Sequence, residues 1–158
     1  FTLIDCAAFI WRAKLYGHQF GGAQVDELGA FALEHFAKPD LPFVNYHRTI
    51  AGVMADVEMA LDLEPSGQAQ ATSARLSAAI QAYAGGRYSE AVCGIEQIDT
   101  VKAVLGGSNA QRDLIVDTYI AALLAAGLGD RAQEVAAQRA RRRAGHLDNK
   151  WYALLKGA

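Results

Sequence analysis

His47 stands in the middle of an apolar stripe, with Phe43, Ile50 and Met54 at helical spacing around it. An imidazole in that setting either lines a pocket between helices, as acid, base or donor, or sits in the core neutral and hydrogen-bonded once. No carboxylate lies at i±3 or i±4. Glu58 shares the face but is separated from it by roughly 16 Å of helix rise, so any partner for a general-base pair comes from another element. No catalytic residue is assigned on this basis. His35 follows Glu34 without a second histidine at i+4, which removes the metalloprotease pattern. Four histidines and two separated cysteines, Cys6 and Cys93, predict no metal site. Nothing calls for a cofactor. The cysteines are expected to be small, reduced core residues of a cytoplasmic protein.

A second constellation is Gly106-Gly107-Ser108-Asn109-Ala110-Gln111-Arg112-Asp113. Ser108 followed by Gln111 is a capping box, so a helix starts there. On that helix Asn109, Arg112, Val116, Tyr119 and Leu123 share one side, which the apolar residues mark as the buried one. A buried arginine needs a partner. Either an anionic ligand occupies the helix start, or Arg112 joins a structural network through Asp5, Asp117 or an upstream portion of the protein. The segment is no phosphate loop, since no strand precedes it and no Lys-Ser/Thr follows. Trp11 and Arg12 repeat the pairing of polar and apolar on one helix, readable as a core indole with a snorkelling guanidinium. The residues that could hold a ligand are therefore Trp11, Arg12, His47, Ser108, Asn109, Arg112 and Asp113.

These residues fall on helices. Of 158 residues 31 are alanine and only three are proline, and alanine is both the best helix former and a small packing residue. The i, i+3, i+4 pattern predicts helices over 3–15, about 25–36, and 43–61, the last running from Phe43 to Leu61 and the second stopping before Pro39. After a linker at Glu64-Pro65-Ser66-Gly67 come helices over 69–84, 88–104, 108–126 and 130–144, then a short one near 149–156 with Trp151. Asp130 with Gln133 reads as a second cap, and Arg139, Arg141, Arg142 and Arg143 as a solvated basic helix end. Two parts result: residues 1–63 with three helices, and 68–158 with helix hairpins and a terminal helix. The fold class is all-α, built of antiparallel hairpins stacked as a tetratricopeptide-like α-solenoid. Its motivation is the likeness of Ala84-Gly85-Gly86 through Ala91-Val92 to Ala125-Ala126-Gly127 through Ala132, where Ala91 and Ala132 occupy the close crossing of each pair.

Three ordered landmarks sharpen this. Asp5 through Trp11-Arg12, Asn45-Tyr46-His47 through Met54-Ala55, and Gly106 through Asp113 resemble, in that order, segments of the tetratricopeptide repeat protein 38 family. The resemblance implies that this chain is the C-terminal part of a longer α-solenoid-like protein with a further helical N-terminal portion. It implies no established reaction.

The charge balance is 15 basic to 17 acidic side chains, which removes any electrostatic need for nucleic acid. No run reaches the roughly 18 uncharged apolar residues of a membrane span. The leading expectation is a helical-repeat interaction module whose concave face, lined by Trp11, His47, Asn109 and Arg112, takes a protein or peptide partner or its own upstream portion. The competing one is an enzyme or small-molecule binder with an inter-helix pocket for an anionic ligand. Self-association is a further expectation, because Leu3, Ile4, Phe36 and Phe43 would be uncovered without an upstream portion.

Overall fold

The computed structural model describes residues 2–19, 22–36, 41–57, 66–142 and 151. Pro39, Glu58, Glu64-Pro65, Arg143 and, apart from Trp151, the stretch 149–156 lie outside them, and with them the expectations they carried. The described residues are helical, without a strand: α1 (Thr2–Leu15), α2 (Gly22–His35), α3 (Pro42–Met54), α4 (Gln68–Ala84), α5 (Tyr88–Ile98), α6 (Asn109–Ala125) and α7 (Gly129–Arg142), with one 3-10 turn at Lys102–Leu105. The chain is all-α in these residues.

The centre is α3, against which α1, α2 and α4 pack. Val44 through Gly52 are nine consecutive buried residues, so this helix is enclosed on every side and its polar members have to find partners internally. Toward α4 they do so as a seam of short hydroxyls. Asn45 Nδ2 donates to Ser73 Oγ at 3.4 Å and Thr49 Oγ1 to Ser77 Oγ at 3.0 Å, while Ser73 Oγ donates to the Pro42 carbonyl at 2.7 Å. Toward α2 the approach is closer still. A Cβ on Gly29 would stand 2.4 Å from Ala55 Cβ, so only glycine permits this crossing. The helix is shorter than its stripe predicts. It stops at Met54, and Asp56 adopts the left-handed conformation at φ 54°, which ends a right-handed helix.

From α4 onward each helix packs on the next: α4 on α5, α5 on α6, α6 on α7. Ala91 and Ala132, at the expected crossing positions, are both fully buried. The helix expected over 88–104 ends at Ile98. The chain turns through Asp99-Thr100, and the 3-10 turn brings Leu105 into the core. Ser108 caps α6 as the sequence predicts: its Oγ accepts from the Gln111 amide, and the Gln111 side chain accepts from the Ser108 amide at 2.8 Å. Asp130 instead lies inside the first turn of α7, where its charge suits the positive helix pole. The two parts are not independent, because α1 packs against α6 as well as α3. Tyr83, Tyr119 and Leu15 touch both apolar clusters of the core.

Several expectations of burial are corrected. Leu3 is a core residue at 1% exposure and Ile4, Phe36 and Phe43 are partly buried, whereas Phe9 and Leu41 are the most exposed of the large apolar side chains, ahead of Phe31, Leu33, Val104 and Leu128. Cys6 and Cys93 are free and exposed. Each falls on the outer side of its helix, a rotation that flanking alanines leave open because they suit either face.

Candidate functional site

The chemistry concentrates on α6, which carries two polar faces of opposite character. One is turned inward. Asp117 and Thr118 are buried among Leu114, Ile115, Ala121 and Ala122. Asp117 Oδ2 accepts the Nε–H of Arg12 at 2.9 Å, and its Oδ1 accepts from Arg139 and, at 2.9 Å, from the indole N–H of Trp151. Next to it, Thr118 Oγ1 accepts the indole N–H of Trp11 at 2.9 Å and donates to the Leu114 carbonyl. Consecutive residues of α1 thus grip consecutive residues of α6. Arg12 is no snorkelling residue, and Arg139 is no solvated helix end; at 9% exposure it is buried against Asp117, with Asp113 at 3.9 Å. This arrangement satisfies each charge from inside the protein and offers nothing to a ligand.

The outer face of α6 lines an open groove of about 700 Å³ with α5 and α7. Ile95, Val116 and Val135, one from each helix, form its apolar floor. At one end Tyr119 Oη donates to Glu96 Oε1 at 2.7 Å, and Arg131 bonds both groups. The Tyr119 phenol is pushed up to about 12, by burial first and then by donating to the Glu96 carboxylate. Glu96 is held below its ordinary value, chiefly by that same phenol donor. Neither group changes charge near neutrality.

At the other end lie Asn109, Arg112 and Asp113. The side shared by Asn109, Arg112, Val116 and Tyr119 is therefore the groove side; only Leu123 of that set is fully buried. Burial falls instead on Leu114, Asp117, Thr118 and Ala121. Arg112 bonds neither Asp5 nor Asp117. Its Nη1 donates to the carbonyls of Gly106, at 3.1 Å, and Gly107, and its Nη2 to Asn109 Oδ1 at 2.6 Å. Arginine closes the Gly-Gly turn from outside, and Phe43 closes it from within, its ring filling the space where a Gly107 Cβ would go.

His47 is in neither place. Fully buried on α3, it directs Nδ1 to the Phe43 carbonyl at 2.8 Å, which makes Nδ1 the protonated nitrogen, and its Nε2 has no hydrogen-bond partner. Burial lowers its pKa to about 4, and the Arg12 charge adds to the effect. Adjacent Tyr46 is buried too, with its hydroxyl unpartnered and its pKa raised by desolvation. The imidazole belongs to the core and is distant in role from the groove. One concave face holding Trp11, His47, Asn109 and Arg112 together is thus corrected. Trp11 and His47 are internal, Arg12 is partly buried against Asp117, Ser108 is a helix cap, and of these residues only Asn109, Arg112 and Asp113 line the groove.

Asp117, Thr118 and Arg139 as one knot, and Glu96, Tyr119 and Arg131 as another, were not singled out in the sequence. The signal for the first is a charge in the middle of the run Leu114-Ile115-Val116-Asp117-Thr118-Tyr119-Ile120, which only a buried counter-charge explains. Among the described residues no three His, Cys, Asp or Glu side chains gather to hold a metal, and no helix is long and apolar enough to cross a membrane. Compared with known proteins, the chain matches no family model, no curated protein and no solved structure.

Proposed function

We propose that the chain is a tetratricopeptide-like helical interaction module, and that the groove between α5, α6 and α7 takes a segment of a partner protein. The groove itself carries this reading: it is open, about 700 Å³ in volume, with an apolar floor and a rim of charged and amide groups, the balance that docks a peptide's side chains and its backbone together. The two Gly-turn hairpins with buried Ala91 and Ala132 support the repeat build. The stack has one departure from regularity. Where α4 and α6 of successive repeats would pack together, α6 packs extensively on α1 as well as on α5 and α7, so α1 takes the place beside α6 that a regular stack would give to α4.

A peptide library displayed on phage and selected against the full chain tests this. Selected peptides should bind the parent and bind about tenfold or more weakly to Gln138→Trp, whose added ring fills the groove from an exposed position. Selected peptides that bind Gln138→Trp as well as the parent would place the docking surface elsewhere.

A further inference from the structure

Resting on that groove reading, the charges along its wall narrow the partner's chemistry. Arg131 faces Glu96, Lys102 faces Asp99, and Arg139 faces Asp117 and Asp113, while Arg142 lines the wall as an exposed side chain held by none of these carboxylates. Arg112 differs. Among the described residues it bonds only neutral oxygens, those of Gly106, Gly107 and Asn109. A guanidinium has five N–H donors, so among the described residues the Nε–H and one N–H of Nη2 have no protein acceptor, the number a carboxylate takes in a forked pair. The three neutral bonds also fix the group in place before any ligand arrives, which lowers the entropy lost on binding. The Gln111 and Arg112 amides of the helix start are already taken, by the Ser108 hydroxyl and carbonyl, which leaves the guanidinium as the charged donor there.

We infer that Arg112 is the anchor for a carboxylate of the docked segment, with an adjacent apolar side chain of that segment on the Ile95, Val116 and Val135 floor. The carboxylate is either an acidic side chain or the segment's own C-terminus; both present the same fork.

Three synthetic peptides of about eight residues separate the outcomes: alternating glutamate and leucine with a free C-terminus, the same sequence amidated, and its glutamine counterpart, also amidated. Amide resonances of the full chain report where each binds. The free glutamate peptide is expected to shift groove resonances and to bind about tenfold more tightly than the amidated glutamine peptide. Affinity retained on amidation assigns the anchor to a side chain; affinity lost on amidation assigns it to the C-terminus. In either case Arg112→Gln should abolish the preference and Arg112→Lys should keep part of it, with helical circular dichroism unchanged in both. Equal binding of all three peptides in the groove would overturn the carboxylate anchor and leave the groove reading standing. Shifts confined to other surfaces, or none, would overturn both.

Discussion

The Nε–H of Arg12 lies 2.9 Å from Oδ2 of Asp117, a contact between the first helix and the sixth across 105 positions of chain. Asp117 is wholly buried, and the same carboxylate also holds Arg139 of α7 and the indole of Trp151. A carboxylate so placed does more than pair a charge. It ties α1, the last hairpin and Trp151 together, and places Arg139 on the groove wall.

Replacing Asp117 by asparagine should therefore be severe, because it removes the buried carboxylate charge that Arg139 and Arg12 both bond. A loss of about 3–5 kcal/mol in urea unfolding is expected for such a broken buried network. By contrast Arg87→Ala, which removes an exposed pair with Glu90, should change stability by less than about 1 kcal/mol. Similar midpoints for the two variants would show that the buried knot is energetically idle.

Acid should weaken the protein through His47. Its folded pKa is lowered to about 4 from an ordinary 6.5, so the unfolded chain binds a proton that the folded chain refuses. The stability at stake is fully present above pH 6.5, falls as the pH drops toward 4 and levels off below it, by about 3 kcal/mol in all. Arg12 and Asp5 of α1 act on the imidazole, with the rings of Phe43 and Tyr46 tilted beside it. Carboxylates titrate in both proteins, so the difference between parent and His47→Phe isolates the ring. The substituted protein should show a flatter profile between pH 6.5 and 4, measured by thermal melting. Parallel profiles would disprove the assignment.

Periodicity made the helices legible, because the alternation of apolar and small residues is a local property of each segment. The Ser108–Gln111 cap was legible for the same reason. Which face of α6 turns inward was not. Val116, Tyr119 and Leu123 argue for one side and Leu114, Ile115 and Ala121 for another, and α1 decides between them by presenting Trp11 and Arg12 to Asp117 and Thr118. The groove depends on that choice, since the face that α1 leaves uncovered is the one carrying Arg112. The end of α3 was hidden too. Its apolar stripe continues past Met54, and only the left-handed Asp56 stops it.

The two glycines before α6 should respond differently to a methyl group. Gly106 and Gly107 both have positive φ, 78° and 75°, so alanine strains either by about 1 kcal/mol. At Gly106 the space is open, while at Gly107 the new Cβ would lie 2.3–2.9 Å from ring atoms of Phe43. Gly107→Ala should accordingly cost at least about 2 kcal/mol, and pairing it with Phe43→Leu should recover part of the loss. If Gly106→Ala proves equally damaging, the ring contact is not what fixes this turn.

The hydroxyl seam between α3 and α4 allows a sharper test, because its bonds come in pairs. Thr49 Oγ1 donates to Ser77 Oγ, and Thr49 has also the Asn45 carbonyl within reach at 3.2 Å. Thr49→Val keeps the side-chain volume but leaves Ser77 buried without this donor, and Ser77→Ala leaves the Thr49 hydroxyl only the Asn45 carbonyl. Each single change should destabilise by about 1–2 kcal/mol, since an unmatched buried polar group loses its hydration without recompense. Together they remove both partners and leave an apolar contact, so the double variant should be less destabilised than the sum by about 1 kcal/mol. Additive losses would mean that the hydroxyls act independently, with the Asn45 carbonyl the true partner of Thr49. A positive coupling would show that the pairing sets the register of α3 on α4, and with it the position of Phe43 beneath the turn that Arg112 closes.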